Sequence, residues 1–173
     1  MTIPWDKAFI DFSCLKLEQL TDRVCACLDL LSHHQVWYRG SENENAVGNL
    51  VLHICGNLRQ WVGFGVGGKP DVRARDLEFA ARSGLESAEL KERLRASVAE
   101  ALHIIRALEP ERLEQIVEIQ KYKVSVLQAV YHVVEHFSGH AGQIIFFTKH
   151  FTGKDLGFYV HLGSAEPHEK KTP

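Results

Sequence analysis

The chain has 173 residues, of which 45% are hydrophobic and 24% charged, and this length suits one well-packed domain better than two. Its 20 basic and 22 acidic residues give a formal net charge of −2, which argues against a nucleic-acid-binding surface and against an acidic tail. No stretch approaches about 18 apolar residues, and the N-terminal residues include charges and a proline, so we expect a cytoplasmic protein that does not enter a membrane.

Two long amphipathic helices are predicted in the first part of the chain. The first spans about residues 6–33, because its apolar residues recur every three or four positions: Leu17, Leu20, Val24, Leu28 and Leu31. A second helix should begin near residues 41–44, Ser-Glu-Asn-Glu, which resemble a capping box, or near Asn45, another possible N-cap. It should continue to about Phe64, where a run of glycines followed by Pro70 stops it.

A long connection and two further helices make up the rest of the chain. The connection extends to about Glu86, and the charged residues 71–76 within it should be solvated. Ser87 should open a third helix that ends at Pro110, and residues 113–123 alternate weakly, as in a short extended excursion. Residues 125–128, Ser-Val-Leu-Gln, form another capping box, so a fourth helix should run from about Val126 to His150.

Four amphipathic helices with no strong strand pattern predict an all-α protein, a four-helix bundle. The long connection is a crossover that allows the second and third helices to run parallel, which gives an up-down-down-up topology. We expect residues 1–163 to form this single domain and residues 164–173 to be a disordered C-terminal tail.

The fourth helix carries three histidines at helical spacing: His132, His136 and His140. Residues four apart lie on one helix face, close enough for two imidazoles to bind one metal ion. These three histidines cannot all bind the same ion, because about 12 Å of helix rise separates His132 from His140. On a helical wheel His136 and His140 lie nearest the core face, so they are the candidate pair, and His132 should meet solvent or a partner.

A third imidazole is available on the second helix. His53 lies on the shoulder of that helix's core face, and Asn57 follows one turn later. If the second and fourth helices pack antiparallel, His53 lies about 12 Å from the start of its helix, and His136 and His140 lie about 15–21 Å from the end of theirs. These heights agree, so the sequence predicts a three-histidine metal site with an open coordination position.

Two other interpretations of the histidines remain open. Residues 132–136, His-Val-Val-Glu-His, match the inverted zinc-peptidase signature, in which His132 and His136 bind zinc and Glu135 is the base. Such a site needs a third protein ligand, usually acidic and well downstream, and the only later glutamates are Glu166 and Glu169, in a polar tail. Alternatively, the histidines are ordinary polar residues of a long helix.

The four cysteines, Cys14, Cys25, Cys27 and Cys55, lie in predicted helices and form no C-x-x-C pair. We interpret them as reduced core thiols. Cys55, two residues from His53, is the best candidate for a functional thiol.

Several stretches resemble the DinB/YfiT-like superfamily: residues 45–61 around His53, the Gly-Val-Gly-Gly-Lys-Pro-Asp turn, residues 132–144 with the three histidines followed by Gly-Gln, and residues 152–159. The likeness covers nearly the whole chain. It implies an up-down-down-up bundle, a homodimer, and a divalent metal held by His53, His136 and His140. Further candidates for the pocket or second shell are Asn57, Glu135, Gln143 and Tyr159.

The resemblance also implies a class of function. Characterised members of the superfamily include transferases that use bacillithiol, mycothiol or glutathione, a mycothiol-dependent isomerase and a metal-dependent hydrolase. Our leading hypothesis is an S-transferase that uses a low-molecular-weight thiol and acts on electrophilic small molecules, with no nucleic-acid or membrane partner. The alternatives are hydrolysis of an amide or ester by metal-activated water, and a non-enzymatic metal-binding stress protein. Imidazole ligands suit zinc or nickel, and also iron or copper.

Overall fold

The computed structural model describes residues 3–160, and most of them are helical. The elements in chain order are α1 (Trp5–Leu30), α2 (His33–Val36), α3 (Val47–Leu58), a π-helical segment (Arg59–Val66), α4 (Arg75–Ala80), α5 (Ser87–Arg106), a 3₁₀ turn (Pro110–Arg112), β1 (Ile116–Ile119), β2 (Tyr122–Ser125) and α6 (Val126–Thr152). The predicted tail at residues 164–173 lies outside the described residues.

The four long helices share one hydrophobic core. Helix α1 packs against α5 and α6, and α3 packs against the same two helices. Each helix contributes fully buried side chains, such as Leu17, Ile54, Leu94 and Phe137. The predominantly helical class predicted from the sequence is therefore confirmed, and the up-down-down-up order stays a prediction. Within residues 3–160, no helix combines the length and the apolarity needed to cross a membrane.

Capping residues explain where the last helix begins and ends. The Ser125 hydroxyl accepts the N–H of Gln128, and the Gln128 side chain accepts the N–H of Ser125, as the sequence predicted. Gly153, with a φ of 64°, ends α6 in the left-handed conformation that glycine adopts without strain. Ser32 and Gln35 form the same reciprocal pair at the start of α2, so the first long helix ends at Leu30, three residues before the predicted boundary.

The predicted N-cap of the second helix is wrong, because the N-cap is Ala46 and not Ser41 or Asn45. The Glu44 carboxylate accepts the N–H of Gly40 instead of closing a capping box with Ser41. Helix α3 begins at Val47, where the Asn49 side-chain oxygen accepts the N–H of Ala46 at 3.1 Å. After Leu58 the backbone continues as a π-helical segment to Val66, close to the predicted end.

The long connection folds back onto α3, which corrects the prediction that residues 71–76 are solvated throughout. Asn49 Nδ2 donates to the backbone oxygens of Glu78 at 2.8 Å and Ala81 at 2.9 Å, and Arg39 donates to the backbone oxygen of Phe79. Because these bonds fix residues 78–81, helix α4 is held against α3. Arg73, inside the predicted solvated stretch, has a side chain only 4% exposed.

The predicted extended excursion is an antiparallel hairpin, with Ile116 opposite Ser125 and Ile119 opposite Tyr122. Gln120 and Lys121 have positive φ angles of 52° and 71°, as a two-residue hairpin turn of the mirror-image type requires. Ile119 is fully buried against the π-helical segment. The hairpin thereby covers the π-helical segment that follows α3.

All four cysteines are free and buried, as expected for core thiols. Burial raises the pKa of Cys55 to about 11, which argues against a reactive thiol at this position. At pH 8 only about one Cys55 in a thousand is then a thiolate. We expect iodoacetamide to alkylate Cys55 at least a hundred times more slowly in native protein than in urea-unfolded protein, as followed by mass spectrometry. Comparable rates in the two states would contradict this assignment.

Candidate metal centre

Three histidines from two helices converge on one point. His53 extends from α3, and His136 and His140 extend from α6, which packs beside it. One ring nitrogen of each lies within 4.8 Å of those of the other two. His136 Nε2 is 3.0 Å from His53 Nε2 and 3.2 Å from His140 Nε2. The structure therefore brings together the three residues that the sequence singled out.

A buried ion pair holds the outer nitrogen of His53. His53 Nδ1 lies 2.9 Å from Glu78 Oε2. Arg73 binds the same carboxylate at two points, Nε to Oε1 and Nη2 to Oε2, both at 2.8 Å. The Arg73 and Glu78 side chains are 4% and 10% exposed, so water competes little for these bonds. The ion pair fixes the plane of the His53 ring.

Gly56 leaves room for this carboxylate. It lies on α3 three residues after His53, and a Cβ atom at this position would lie 1.9 Å from Glu78 Oε1. No real side chain tolerates that approach, so only glycine allows the carboxylate to reach His53 in this position.

The ionisation of Glu78 determines the tautomer of His53. Burial by itself would raise the pKa of Glu78, but the hydrogen bonds from Arg73 and His53 outweigh it and lower that pKa. An ionised carboxylate only accepts hydrogen bonds, so His53 Nδ1 carries the proton. Arg73 Nη2 also lies 3.1 Å from His53 Nδ1, but it has its shorter bond to Glu78. The lone pair of His53 Nε2 therefore points towards His136.

His140 is oriented in the same way. Its Nδ1 lies 2.8 Å from Gln143 Oε1, an acceptor, so its Nε2 also presents a lone pair to His136. Burial is the main reason why the pKa of His140 is lowered. Burial and the neighbouring His140 and His53 lower the pKa of His136 to about 3, so His136 is uncharged at neutral pH.

This arrangement fits a cation. A neutral His136 has one N–H at most and cannot satisfy the lone pairs of both neighbours, whereas a metal ion accepts all three. Tetrahedral ligands about 2.05 Å from zinc lie about 3.3 Å apart, close to the two nitrogen separations of 3.0 Å and 3.2 Å. His136 Nδ1 is buried and has no hydrogen-bond partner among the described residues, so two of the three rings have an outer hydrogen bond.

A cavity of about 390 Å³ adjoins the histidines, and we call it the metal-side cavity. His53 and His136 lie in its wall, together with Asn57, Trp61, Arg73, Arg75, Gln120, Tyr122, Val124, Gln128 and His132. Trp61 and Tyr122 stack with ring centroids 6.4 Å apart, so one side of the cavity is aromatic. The volume is at the lower end of the range of small-molecule sites.

His132 lines the metal-side cavity, which corrects the prediction that it meets solvent or a partner. Its ring packs 4.0 Å from the Trp61 ring, and its Nε2 lies 3.4 Å from Asn57 Nδ2. Burial lowers the pKa of His132. It does not belong to the converging trio, and Glu135 is exposed, so residues 3–160 contain no inverted peptidase site; Glu166 and Glu169, its candidate third ligands, lie outside the described residues.

The other predicted site residues are divided between the site and the surface. Asn57 is buried in the cavity wall, and Gln143 bonds to His140. Tyr159 is 60% exposed and packs on Arg23 of α1, and it does not line the cavity. Sequence analysis missed Glu78 and Arg73. The one signal for them was Gly56, a small residue in a helix one turn beyond a candidate ligand.

The fold and the site define a class: mostly helical proteins in which histidines from two helices form a possible site for a divalent metal. The chain belongs to the DUF1572 family, described as proteins of unknown function, whose sequence pattern matches residues 6–160. A solved DinB-like protein has the same fold, so the resemblance to the DinB/YfiT-like superfamily is confirmed at the level of the fold. No curated protein matches the chain.

Solved structures show the same fold. A conserved protein from Enterococcus faecalis is similar with a TM-score of 0.71 and 16% identity, over 83% of this chain and 97% of that one. The DinB-like protein YjoA from Bacillus subtilis gives 0.65 and 16%, over 85% and 96%. A mycothiol-dependent maleylpyruvate isomerase gives 0.62 and 19%, over 83% of this chain and 63% of its own.

Proposed function

We propose that the protein is a metal-dependent S-transferase that joins the sulfur of a low-molecular-weight thiol to an electrophilic small molecule. His53, His136 and His140 would hold the divalent ion, and the metal-side cavity would hold the reactants. The observation that carries the proposal is the convergence of three imidazoles beside that cavity. Three protein ligands leave a coordination position open, as in catalytic rather than structural sites. Zinc and nickel are among the ions that imidazole ligands suit, and we propose one of these two.

The chemistry of the proposal is divided between the ion and the chain. A divalent ion here would supply Lewis acidity that lowers the pKa of a bound thiol or water. Glu78 and Gln143 keep the protons of His53 and His140 on Nδ1, which leaves each Nε2 available as a ligand. Trp61 and Tyr122 supply an aromatic wall against which the substrate can pack. The mycothiol-dependent isomerase among the fold's neighbours supports thiol chemistry.

Hydrolysis is the second candidate, and His132 favours it. Since burial lowers its pKa, this imidazole is unprotonated at neutral pH, and its Nε2 lies beside Asn57 in the cavity wall. An unprotonated imidazole at that place can accept a proton from an attacking water. Hydrolysis would need no added thiol, which separates it from S-transfer.

We also propose the assembly that the family resemblance implied: one domain over residues 1–163, an up-down-down-up bundle and a homodimer. Trp5, Phe12 and Leu15 are exposed apolar residues along one stripe of α1, and such a stripe is a candidate contact between two copies. Light scattering coupled to size-exclusion chromatography measures the mass directly.

Removal and return of the metal tests the proposed function. We expect untagged protein to contain about one zinc or nickel per chain and to consume monochlorobimane in the presence of bacillithiol, mycothiol or glutathione. Dialysis against a chelator should abolish this consumption, and one equivalent of metal should restore it. Turnover of ester or amide substrates without a thiol would instead support hydrolysis. Bound metal with no turnover of either kind would leave a non-enzymatic metal-binding protein and overturn both enzyme proposals.

A further inference from the structure

A second cavity, of about 340 Å³, lies between α3, the long connection and α5, and we call it the crossover cavity. Leu52, Cys55 and Gly56 form its α3 side, and Leu77 and Leu85 belong to the connection. Glu78, which orients His53, lines this cavity, and Arg73 lines both cavities. The histidines do not line the crossover cavity, so the proposed metal chemistry leaves it without a role.

The walls of the crossover cavity expose apolar surface that the fold does not bury. Val72 and Leu77 lie at the cavity and are 83% and 70% exposed. Hydrogen bonds hold this segment on both sides of the two residues: Gln60 Nε2 donates to Asp71, next to Val72, and Asn49 Nδ2 donates to the backbone oxygen of Glu78, next to Leu77. Apolar side chains held at the edge of a concave space favour a ligand that removes them from water.

Two cations lie at the same cavity. Arg59, the first residue of the π-helical segment, and Arg93 of α5 are exposed, and neither guanidinium has an ion-pair partner among residues 3–160. Both guanidiniums lie close enough to Cys55 in the cavity wall to lower the pKa of its thiol, against the larger effect of burial, which raises it.

The acidic groups of the lining do not neutralise these two cations. Glu78 is paired with Arg73, and Asp71 accepts bonds from the Gln60 side chain at 2.7 Å and the Arg73 N–H at 3.1 Å. The lining therefore has three guanidiniums against two carboxylates, an excess of one positive charge. An anionic group on a ligand would find Arg59 and Arg93 available.

We propose that the crossover cavity binds an organic anion with a short aliphatic body, a carboxylate of medium chain length. Its chain packs against Leu52, Leu77 and Leu85, and its carboxylate binds Arg59 and Arg93. The apolar walls require the aliphatic body, and the unpaired guanidiniums require the negative charge. This site is separate from the proposed metal centre and does not depend on the reaction proposed there.

Calorimetric titration of the full-length protein with octanoate tests the proposal. We expect saturable binding of one octanoate per chain, at least tenfold tighter than that of octanol or octylamine, because only the carboxylate pairs with the arginines. Arg59→Gln and Arg93→Gln should each weaken octanoate binding about tenfold. Arg95→Gln is the matched control, since Arg95 is exposed on α5 but does not line the cavity, and it should leave the affinity unchanged.

Two further measurements test whether octanoate binds at this site rather than at the metal centre, and whether a weaker binding is due to the cavity rather than to loss of folding. Octanoate should bind equally well before and after dialysis against a chelator, and binding that disappears with the metal would place the carboxylate on the imidazoles and overturn the proposal. Leu77→Ser, with an unchanged melting temperature, should reduce the advantage of octanoate over butyrate. Absence of octanoate binding, or equal weakening by Arg95→Gln, would likewise overturn it.

Discussion

Replacement of His136 by alanine is expected to weaken metal binding more than a hundredfold and to abolish metal-dependent turnover. His136 Nε2 lies 3.0 Å from His53 Nε2 and 3.2 Å from His140 Nε2. Its loss leaves only two histidines of the trio as ligands. Dividing about 10–16 kcal/mol for a four-ligand zinc site gives roughly 3 kcal/mol per ligand, which corresponds to that factor.

The variant should nevertheless fold, and this makes the result interpretable. His136 is an uncharged ring with an unpartnered Nδ1, so its removal breaks no hydrogen bond of that atom. We expect the metal-free variant and the metal-free parent to unfold at similar urea concentrations. Added metal should stabilise only the parent, by about 2.7 kcal/mol at a hundredfold excess over the dissociation constant.

His150→Ala is the matched control for this measurement. His150 is a histidine of the same helix, is exposed, and stacks on Phe146 outside the trio. Its replacement should leave metal content and turnover unchanged. Equal metal affinity of His136→Ala and the parent, in competition with a fluorescent chelator, would show that the trio is not the binding site.

The parts of the fold that sequence analysis predicted are those that short-range patterns determine. The period of the apolar residues located the four long helices, and Ser125 with Gln128 fixed the start of α6 to the residue. The histidine trio could also be predicted from the sequence, because His136 and His140 are neighbours on one helix and the rise per residue placed His53 at the same height. In each case, spacing along the chain determines the distance in space.

The parts that escaped prediction depend on contacts between distant segments. Residues 71–76 have the composition of a solvated loop, but hydrogen bonds from Arg39 and Asn49 hold residues 78–81 against α3, and Arg73 turns inward to pair with Glu78. Likewise His132 lies on the polar side of its helix, but the hairpin and Trp61 enclose that side in a cavity. Helical periodicity describes a helix by itself and contains no information about what a loop places over it.

The Arg73–Glu78 ion pair is where this long-range packing affects the metal centre most. Glu78→Ala removes the acceptor that holds His53 Nδ1 and leaves Arg73, 4% exposed, as a buried and unpaired charge. We expect about 3–5 kcal/mol of lost stability from the unpaired charge and about a 10–100-fold weaker metal affinity from the released ring. Urea unfolding measures the first quantity, and competition with a fluorescent chelator measures the second.

Graded variants separate the two effects of Glu78. Glu78→Gln keeps an oxygen that can accept a hydrogen bond from His53 but loses the charge that pairs with Arg73. We therefore expect a loss of stability close to that of Glu78→Ala and a smaller loss of metal affinity. Gly56→Ala should lower both stability and metal affinity, although alanine ordinarily stabilises a helix relative to glycine. The added Cβ would lie 1.9 Å from Glu78 Oε1 and would displace the carboxylate from His53. Glu92→Ala, on the exposed face of α5, is the control and should change neither quantity. If Glu78→Ala retained the parent's metal affinity, the carboxylate would not orient His53, since no other acceptor for Nδ1 lies within hydrogen-bond distance in the described part of the chain.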